Sequence, residues 1–327
     1  MQIINSCFFC TLYATIPSMN INKKEQKLLT IFIPTYKRSK ILQEWLNSIF
    51  SQNSEALKHI DIVISDDAST DDTEAVVRSY MKKHDNIFYY RNEKNLRFFN
   101  TVHISNYIQS KYIVFLADDD CLTSFALPNI IEIIKKTNFD ILFHRPDFSE
   151  KLDKKPIEKS NTFKIFSWAQ EYIKFLYENE KKYKNLICYF SFYSAVIAKT
   201  EYWLEALANS DEKLLRTNNF PHEILHYYDL KEKTIVIPDN TFVLWRLLNE
   251  WYPGSKVLIG DLKEIMNYVE KQNNLKDLQQ RKIIKKICIR WWSRTILLWI
   301  LIKKLHINYK TNGFLKKIYF LYKKFVQ

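Results

Sequence analysis

The stretch Lys111-Tyr112-Ile113-Val114-Phe115-Leu116-Ala117-Asp118-Asp119-Asp120-Cys121-Leu122 decides the fold. Five apolar residues, Ile113 to Ala117, include β-branched and aromatic members and predict a strand buried on both faces. Three consecutive carboxylates stand at its C-terminal end. Like charges repel one another, and a divalent cation with hard oxygen ligands is the usual means of holding them together. Such a metal, bound through one or two carboxylates, commonly holds a phosphate as well. In an open α/β sheet, ligands bind beyond the carboxyl ends of the strands. An isolated run of three aspartates is otherwise a solvated turn. The flanking sequence decides between these readings.

Upstream, Leu28 to Ile33 reads as a short buried strand stopped by Pro34, and Thr35-Tyr36-Lys37-Arg38 as a loop. Ser39 is placed to cap a helix whose apolar stripe is Ile41, Leu42, Trp45, Leu46, Ile49 and Phe50. A second strand, Ile60 to Ser65, ends at Asp66-Asp67-Ala68-Ser69-Thr70-Asp71-Asp72-Thr73, and a helix runs from about Thr73 to Lys83. A third strand, Ile87 to Tyr90, leads through Asn95-Leu96-Arg97-Phe98-Phe99-Asn100 into a helix reaching about Gln109. Strand and helix alternate, which predicts a parallel sheet flanked by helices. Polar or acidic clusters follow the first, second and fourth strands, all on one edge.

These motifs, taken in order, resemble the family 2 glycosyltransferases with the GT-A fold. The residues that carry the resemblance are Ile33 to Arg38, Asp66 to Thr73, Asn95 to Asn100 and Ala117 to Asp120, over roughly residues 28–150. The resemblance implies a Rossmann-like, mostly parallel sheet and a nucleotide-diphosphate sugar as donor. It carries Pro34, Thr35, Tyr36 and Arg38, with Asp66 or Asp67, and Asn95 and Asn100, onto donor contacts. Asp118 and Asp119 fall on the sugar ribose and metal, and Asp118, Asp119 and Asp120 on a Mg²⁺ or Mn²⁺ ion. The chain departs from the family at Arg97, where many members carry Gly. That arginine is read either as a phosphate contact or as a surface residue. The physical logic agrees: a departing nucleoside diphosphate develops negative charge, which a carboxylate-clamped metal neutralises.

Further along, Ile141 to Phe143 and Ser191 to Ala198 read as returns to the sheet, and Thr234 to Asp239 as a strand ending in a Pro-acid pair. His222-Glu223-Ile224-Leu225-His226 matches the HExxH pattern, in which two histidines one helical turn apart bind zinc and the Glu activates water. The resemblance gives the same place another role. In the family, a carboxylate opening a helix ahead of such a strand is the catalytic base, which falls on Glu223, with Asp211 in reserve. Pro221-His222-Glu223 stands where the family often has Glu-Asp. A structural helix start is the third reading.

Composition narrows the field. Of 327 residues, 47% are hydrophobic and 26% charged, a globular balance. The three glycines are Gly254, Gly260 and Gly313, so no Walker loop, GxGxxG fingerprint or kinase glycine loop exists in the first two-thirds. Five scattered cysteines suit a reducing compartment, and Cys7-x-x-Cys10 lacks a second pair. The formal charge of +13 resides in the tail: Arg281 to Gln327 holds 13 Lys and Arg and no acid. Its lysines interleave with Trp291, Trp292, Trp299 and other apolar residues, a pattern of helices at an anionic membrane surface. The longest apolar run there, Ile296 to Ile302, falls far short of the ~20 residues that span a bilayer. No base-reading module accompanies the charge, so no nucleic acid is expected. The bland alternative is a helical appendage packed on the catalytic domain.

The expected organisation is a leader over residues 1–27 without signal-peptide features, a donor-binding half over 28–149, an acceptor-binding half over 150–255 and a basic helical membrane-association region over 256–327. The expected function is a metal-dependent, inverting glycosyltransferase, cytoplasmic and peripheral on the inner face of the membrane. It would move a sugar to a lipid-linked or surface glycan acceptor in lipo-oligosaccharide, O-antigen or capsule assembly. The rival readings are a zinc hydrolase using His222, Glu223 and His226, and a non-catalytic membrane-bound sugar-nucleotide binding protein.

Overall fold

The chain is seen in a computed structural model that describes residues 26–103, 108–144, 147–148, 162–167, 171–172, 175, 193–217, 229–230 and 232–245. Strand β1 (Leu29–Thr35) lies near the middle of the main sheet, and its apolar residues are buried on both faces, as a continuous hydrophobic run requires. Helix α1 (Ser39–Phe50) follows, and the stripe Leu42, Trp45, Leu46 and Ile49 is wholly buried. Burial of each such side chain stabilises the fold by about 1.5–3 kcal/mol. Strand β2 (Ile60–Asp66) comes after the short helix α2 (Ser54–Leu57), then helix α3 (Thr73–Met81), β3 (Ile87–Arg91), a 3₁₀ turn at Arg97–Phe99 and helix α4 (Asn100–His103). The remainder of the helix expected to reach Gln109 lies largely outside the described residues.

Strand β4 (Tyr112–Phe115) precedes the acidic triplet, and the two-residue strand β5 (Cys121–Leu122) follows it. Then come α5 (Ala126–Lys136), β6 (Ile141–Phe143), β7 (Asp147–Phe148), β8 (Phe163–Phe166), a 3₁₀ turn at Tyr193–Ala195, β9 (Val196–Lys199), α6 (Thr200–Asn209), α7 (Glu212–Thr217), β10 (Ile235–Pro238) and β11 (Val243–Trp245).

Eight strands form the main sheet in the order β3-β2-β1-β4-β9-β6-β10-β8. Strands β3, β2, β1 and β4 run parallel, as do β6 and β10, whereas β9 and β8 run antiparallel to their neighbours. The sheet is therefore mostly parallel, with a mixed half that the simple alternation of elements did not reveal. Strands from both sides of residue 150 share this one sheet. A second sheet, β5-β11-β7, anchors the segment leaving the triplet, pairing Cys121 with Leu244 and Leu122 with Val243.

From β1 the chain moves outward through β2 to β3, then returns to β4 on the other side of β1. The C-terminal ends of β1 and β4 thus flank the topological switch point, where open α/β sheets bind ligands. Beneath it, Phe115 packs against Phe32 and Trp203 with ring centroids 4.9 and 4.3 Å apart. These rings fix the end of β4 as a rigid base for the loop above.

Candidate active site

The triplet is held in a turn closed by the Asp120 amide donating to the Ala117 carbonyl at 3.1 Å. All three carboxylates are buried: Asp118 is 5%, Asp119 9% and Asp120 7% exposed. Thr35, at the end of β1, donates its hydroxyl to Asp118 Oδ2 at 2.7 Å. Arg38 Nη1 bridges Asp118 Oδ1 at 2.6 Å and Asp119 Oδ2 at 3.2 Å. Ser194 donates to Asp120 Oδ2 and accepts the Ala117 amide at 3.3 Å. Behind it, His144 Nε2 meets the Ser194 carbonyl at 2.5 Å, so the group continues into the core.

Burial raises the proton affinity of every member of the triplet. Desolvation lifts Asp118 above the usual carboxylate range, opposed by the charge of Arg38. Asp119 is pushed up to about 6 by desolvation and then by the neighbouring Asp118 charge. Asp120 rises well above its ordinary value through desolvation and the Asp119 charge, with the Ser194 hydrogen bond working the other way. For Arg38, burial disfavours the cation, but attraction to Asp118 and Asp119 outweighs it. One guanidinium thus pairs with two of three crowded, desolvated carboxylates.

The first acidic cluster lies beside this group and is joined to it by the Asp67 amide donating to the Thr35 carbonyl at 2.9 Å. Its carboxylates shape the loops. Asp66, wholly buried, accepts from the Ser69 amide at 2.8 Å and the Tyr89 hydroxyl at 2.5 Å. Asp67 accepts from the amides of Leu96 and Arg97, at 2.7 and 2.9 Å, and from Asn92 Nδ2 at 3.1 Å. Asn100 is buried between Ser65 and Asn92. Asn95 is exposed and accepts from the Arg97 amide, Pro34 is half-buried, and Tyr36 stands 40% exposed at the rim.

Three non-glycine residues adopt left-handed backbone here: Lys37 (φ 53°), Ala68 (φ 61°) and Arg97 (φ 55°). Each position would suit glycine, which is absent before residue 254. Strain of about 1–3 kcal/mol at each persists only where surrounding bonds impose it. Those bonds are visible: the Lys37 amide donates to Ser69 Oγ at 2.8 Å, and the Arg97 amide is fixed by Asp67. At Arg97 the chain keeps a glycine-like turn without the glycine.

Thr35, Arg38, Asp118, Asp119 and Asp120 therefore form one cluster, with Asp66, Asp67 and Asn100 as its lateral support. Glu223, His222, His226, the tail from 256 and residues 1–25 lie outside the described residues. Asp211, the reserve base, accepts the Leu214 amide at the start of α7. Sequence reasoning did not single out Ser194, His144, Tyr89 or Asn92. For Ser194 the available signal was a serine at the head of an apolar strand. The others had none that distinguished them from ordinary loop and strand residues.

The sheet of this order, with a buried acidic triplet at its switch point, is an open α/β fold with its candidate site where such sheets bind ligands. The sequence profile described as glycosyl transferase family 2 matches residues 30–199, just over half of the chain, and the chain belongs to that family. Its fold is the GT-A fold. Among curated proteins it is 33% identical over 106 residues to the GalNAc(5)-diNAcBac-PP-undecaprenol beta-1,3-glucosyltransferase of Campylobacter jejuni, covering 32% of this chain and 33% of that protein. It is 37% identical over 105 residues to the abequosyltransferase of Salmonella typhimurium, covering 31% and 30%. The matched region thus spans about a third of the length of these relatives. Among solved structures it resembles S. aureus TarS 1-349 in complex with UDP-GlcNAc (TM-score 0.60, 17% identity, 81% of this chain and 73% of that one). It also resembles the mannosyltransferase PcManGT of Pyrobaculum calidifontis in complex with GDP-Man and Mn²⁺ (TM-score 0.53, 13% identity, 84% and 74%). These likenesses concern the fold. With the family shown, the zinc-hydrolase reading is not carried forward.

Proposed function

We propose that the protein is a metal-dependent, inverting glycosyltransferase that moves a sugar from a nucleotide-diphosphate donor to a lipid-linked or surface glycan acceptor. The observation that carries this reading is the buried cluster of Asp118, Asp119, Asp120, Thr35 and Arg38 at the switch point. Its chemistry suits a hard cation: carboxylate oxygens, desolvated and short of positive charge. Among the described residues no three acidic, His or Cys side chains form a ready metal cage. A Mg²⁺ or Mn²⁺ ion would be held by one or two of the carboxylates of Asp118, Asp119 and Asp120, with the donor diphosphate supplying further oxygens. Such an ion, when bound, neutralises charge developing on the leaving diphosphate.

The chain's own residues do the rest. Asp118, tied to Thr35 and Arg38, is placed for the donor ribose. Tyr36, exposed at the rim, offers an aromatic face to the base, and Asp66 and Asp67 hold the loops that frame it. Glu223 takes the acceptor hydroxyl proton as general base, so that the hydroxyl attacks the anomeric carbon opposite the departing diphosphate. The names of the Campylobacter and Salmonella relatives support an acceptor in bacterial surface glycan assembly. The basic, tryptophan-rich tail supports association with an anionic membrane, on its cytoplasmic face.

The test is a panel of nucleotide-sugars supplied with a bacterial lipid extract and Mn²⁺, Mg²⁺ or chelator. Product anomers are read by NMR, beside Glu223→Gln. The expected result is metal-dependent transfer with inversion, lost in Glu223→Gln. Transfer that persists in chelator, or retention of configuration, overturns the corresponding part of the reading.

A further inference from the structure

We infer that Arg38 is the resident counterion of the acidic triplet, and that a divalent cation enters the site by displacing its guanidinium from Asp118 and Asp119. This rests on the metal-dependent reading above and concerns what the metal must compete with. A single nitrogen, Arg38 Nη1, lies 2.6 Å from Asp118 Oδ1 and 3.2 Å from Asp119 Oδ2. Mg²⁺ binds oxygen at about 2.0–2.1 Å, so an ion shared by those two oxygens would fill the space that Nη1 occupies. The two cannot be there together. Among the described residues, Arg38 is the one cationic side chain paired with the triplet.

The surroundings let the side chain move while the backbone stays. On one side the Lys37 amide donates a hydrogen bond to Ser69 Oγ at 2.8 Å. Ser39 on the other donates its amide to Asp71 Oδ2 at 3.0 Å, and the Arg38 carbonyl accepts the Leu42 amide at 2.9 Å as α1 begins. The loop is thus clamped on both sides of Arg38. Its side chain is 21% exposed and so already reaches solvent from the site. The guanidinium is always charged, so the carboxylates are never left unaccompanied. In the metal-free protein an arriving cation must compete with this guanidinium for Asp118 and Asp119.

The experiment titrates Mn²⁺ alone into the full chain and follows free Mn²⁺ by electron paramagnetic resonance. Wild type, Arg38→Met, Arg38→Lys and Asp119→Asn are compared, with thermal melts confirming the fold. Arg38→Met is expected to bind Mn²⁺ at least about tenfold more tightly than wild type, and Arg38→Lys to fall between them. Unchanged or weaker binding by Arg38→Met, with binding lost in Asp119→Asn, overturns the inference and leaves the metal site standing, since Arg38 then only positions the carboxylates. If Arg38→Met does not fold, unchanged or weaker binding by Arg38→Lys overturns it equally. Absence of any Asp119-dependent Mn²⁺ binding in all proteins overturns the metal-dependent reading itself, and the inference with it.

Discussion

The Ser194 hydroxyl donates to the Asp120 carboxylate across 74 positions of chain, joining the antiparallel entry to β9 to the turn that follows β4. That bond makes the placement of the Asp120 carboxylate a property of two distant segments. Ser194 also takes the Ala117 amide, so it orients both ends of the turn. Outer hydrogen bonds of this kind typically alter metal affinity by 10–100-fold. Ser194→Ala should weaken Mn²⁺ binding about tenfold and shift stability by only about 1 kcal/mol. Isothermal titration and a urea melt read the two effects separately, and a large loss of stability without loss of affinity would make Ser194 a packing residue.

Metal binding should also depend on pH. Asp119 holds its proton up to about 6 in the folded chain, so below that value a proton competes with the ion. Apparent Mn²⁺ affinity should fall by up to about tenfold per unit as pH drops from 6 toward 5. The linkage sign follows from the same shift. Between the ordinary carboxylate value and about 6 the folded chain holds a proton that the unfolded chain has released, so metal-free stability declines as pH rises through that window. The rise in melting temperature caused by saturating Mn²⁺ should therefore be larger at pH 7.5 than at pH 5.

Asp66 is expected to behave differently from the triplet. Its oxygens hold the Ser69 amide and the Tyr89 hydroxyl inside the protein, and burial together with Asp66 raises the proton affinity of that tyrosine. Asp66→Ala strands both donors and should destabilise the fold by about 2–3 kcal/mol. A denaturant midpoint unchanged from wild type would contradict that structural role.

Arg97 supplies a backbone test. At φ 55° an L-residue costs about 1–2 kcal/mol, part of which glycine recovers against its greater freedom when unfolded. Arg97→Gly should leave stability unchanged or raise it by up to about 1 kcal/mol, and Arg97→Val should lower it by about 1–2 kcal/mol. Urea melts of the two variants decide the matter.

Much of this arrangement was legible in the sequence. Apolar runs at β1, β2, β3 and β4, each followed by a helix or a polar cluster, carried the parallel half, because strands buried on both faces leave an unbroken hydrophobic signature. The triplet and the Thr35–Arg38 loop were visible as motifs. The insertion of β9 antiparallel between β4 and β6 was not, since strand direction within a sheet is set by distant pairing rather than local pattern. The same reason hid Ser194 and His144, whose roles exist only once β9 and β6 lie side by side. Nor did the residue types of Asp66 and Asp67 reveal that their carboxylates face protein amides, because loop closure is not written in periodicity.

The most direct measurement of the central claim is release of nucleotide from its sugar donor by wild type and by Asp120→Ala, in Mn²⁺ and in chelator, with melts to confirm folding. Removing a charge-stabilising element of this kind costs about 10²–10³-fold in rate. The account predicts Mn²⁺-dependent release by wild type and at least that loss in a folded Asp120→Ala. Equal release by both proteins, or release indifferent to chelator, would contradict it.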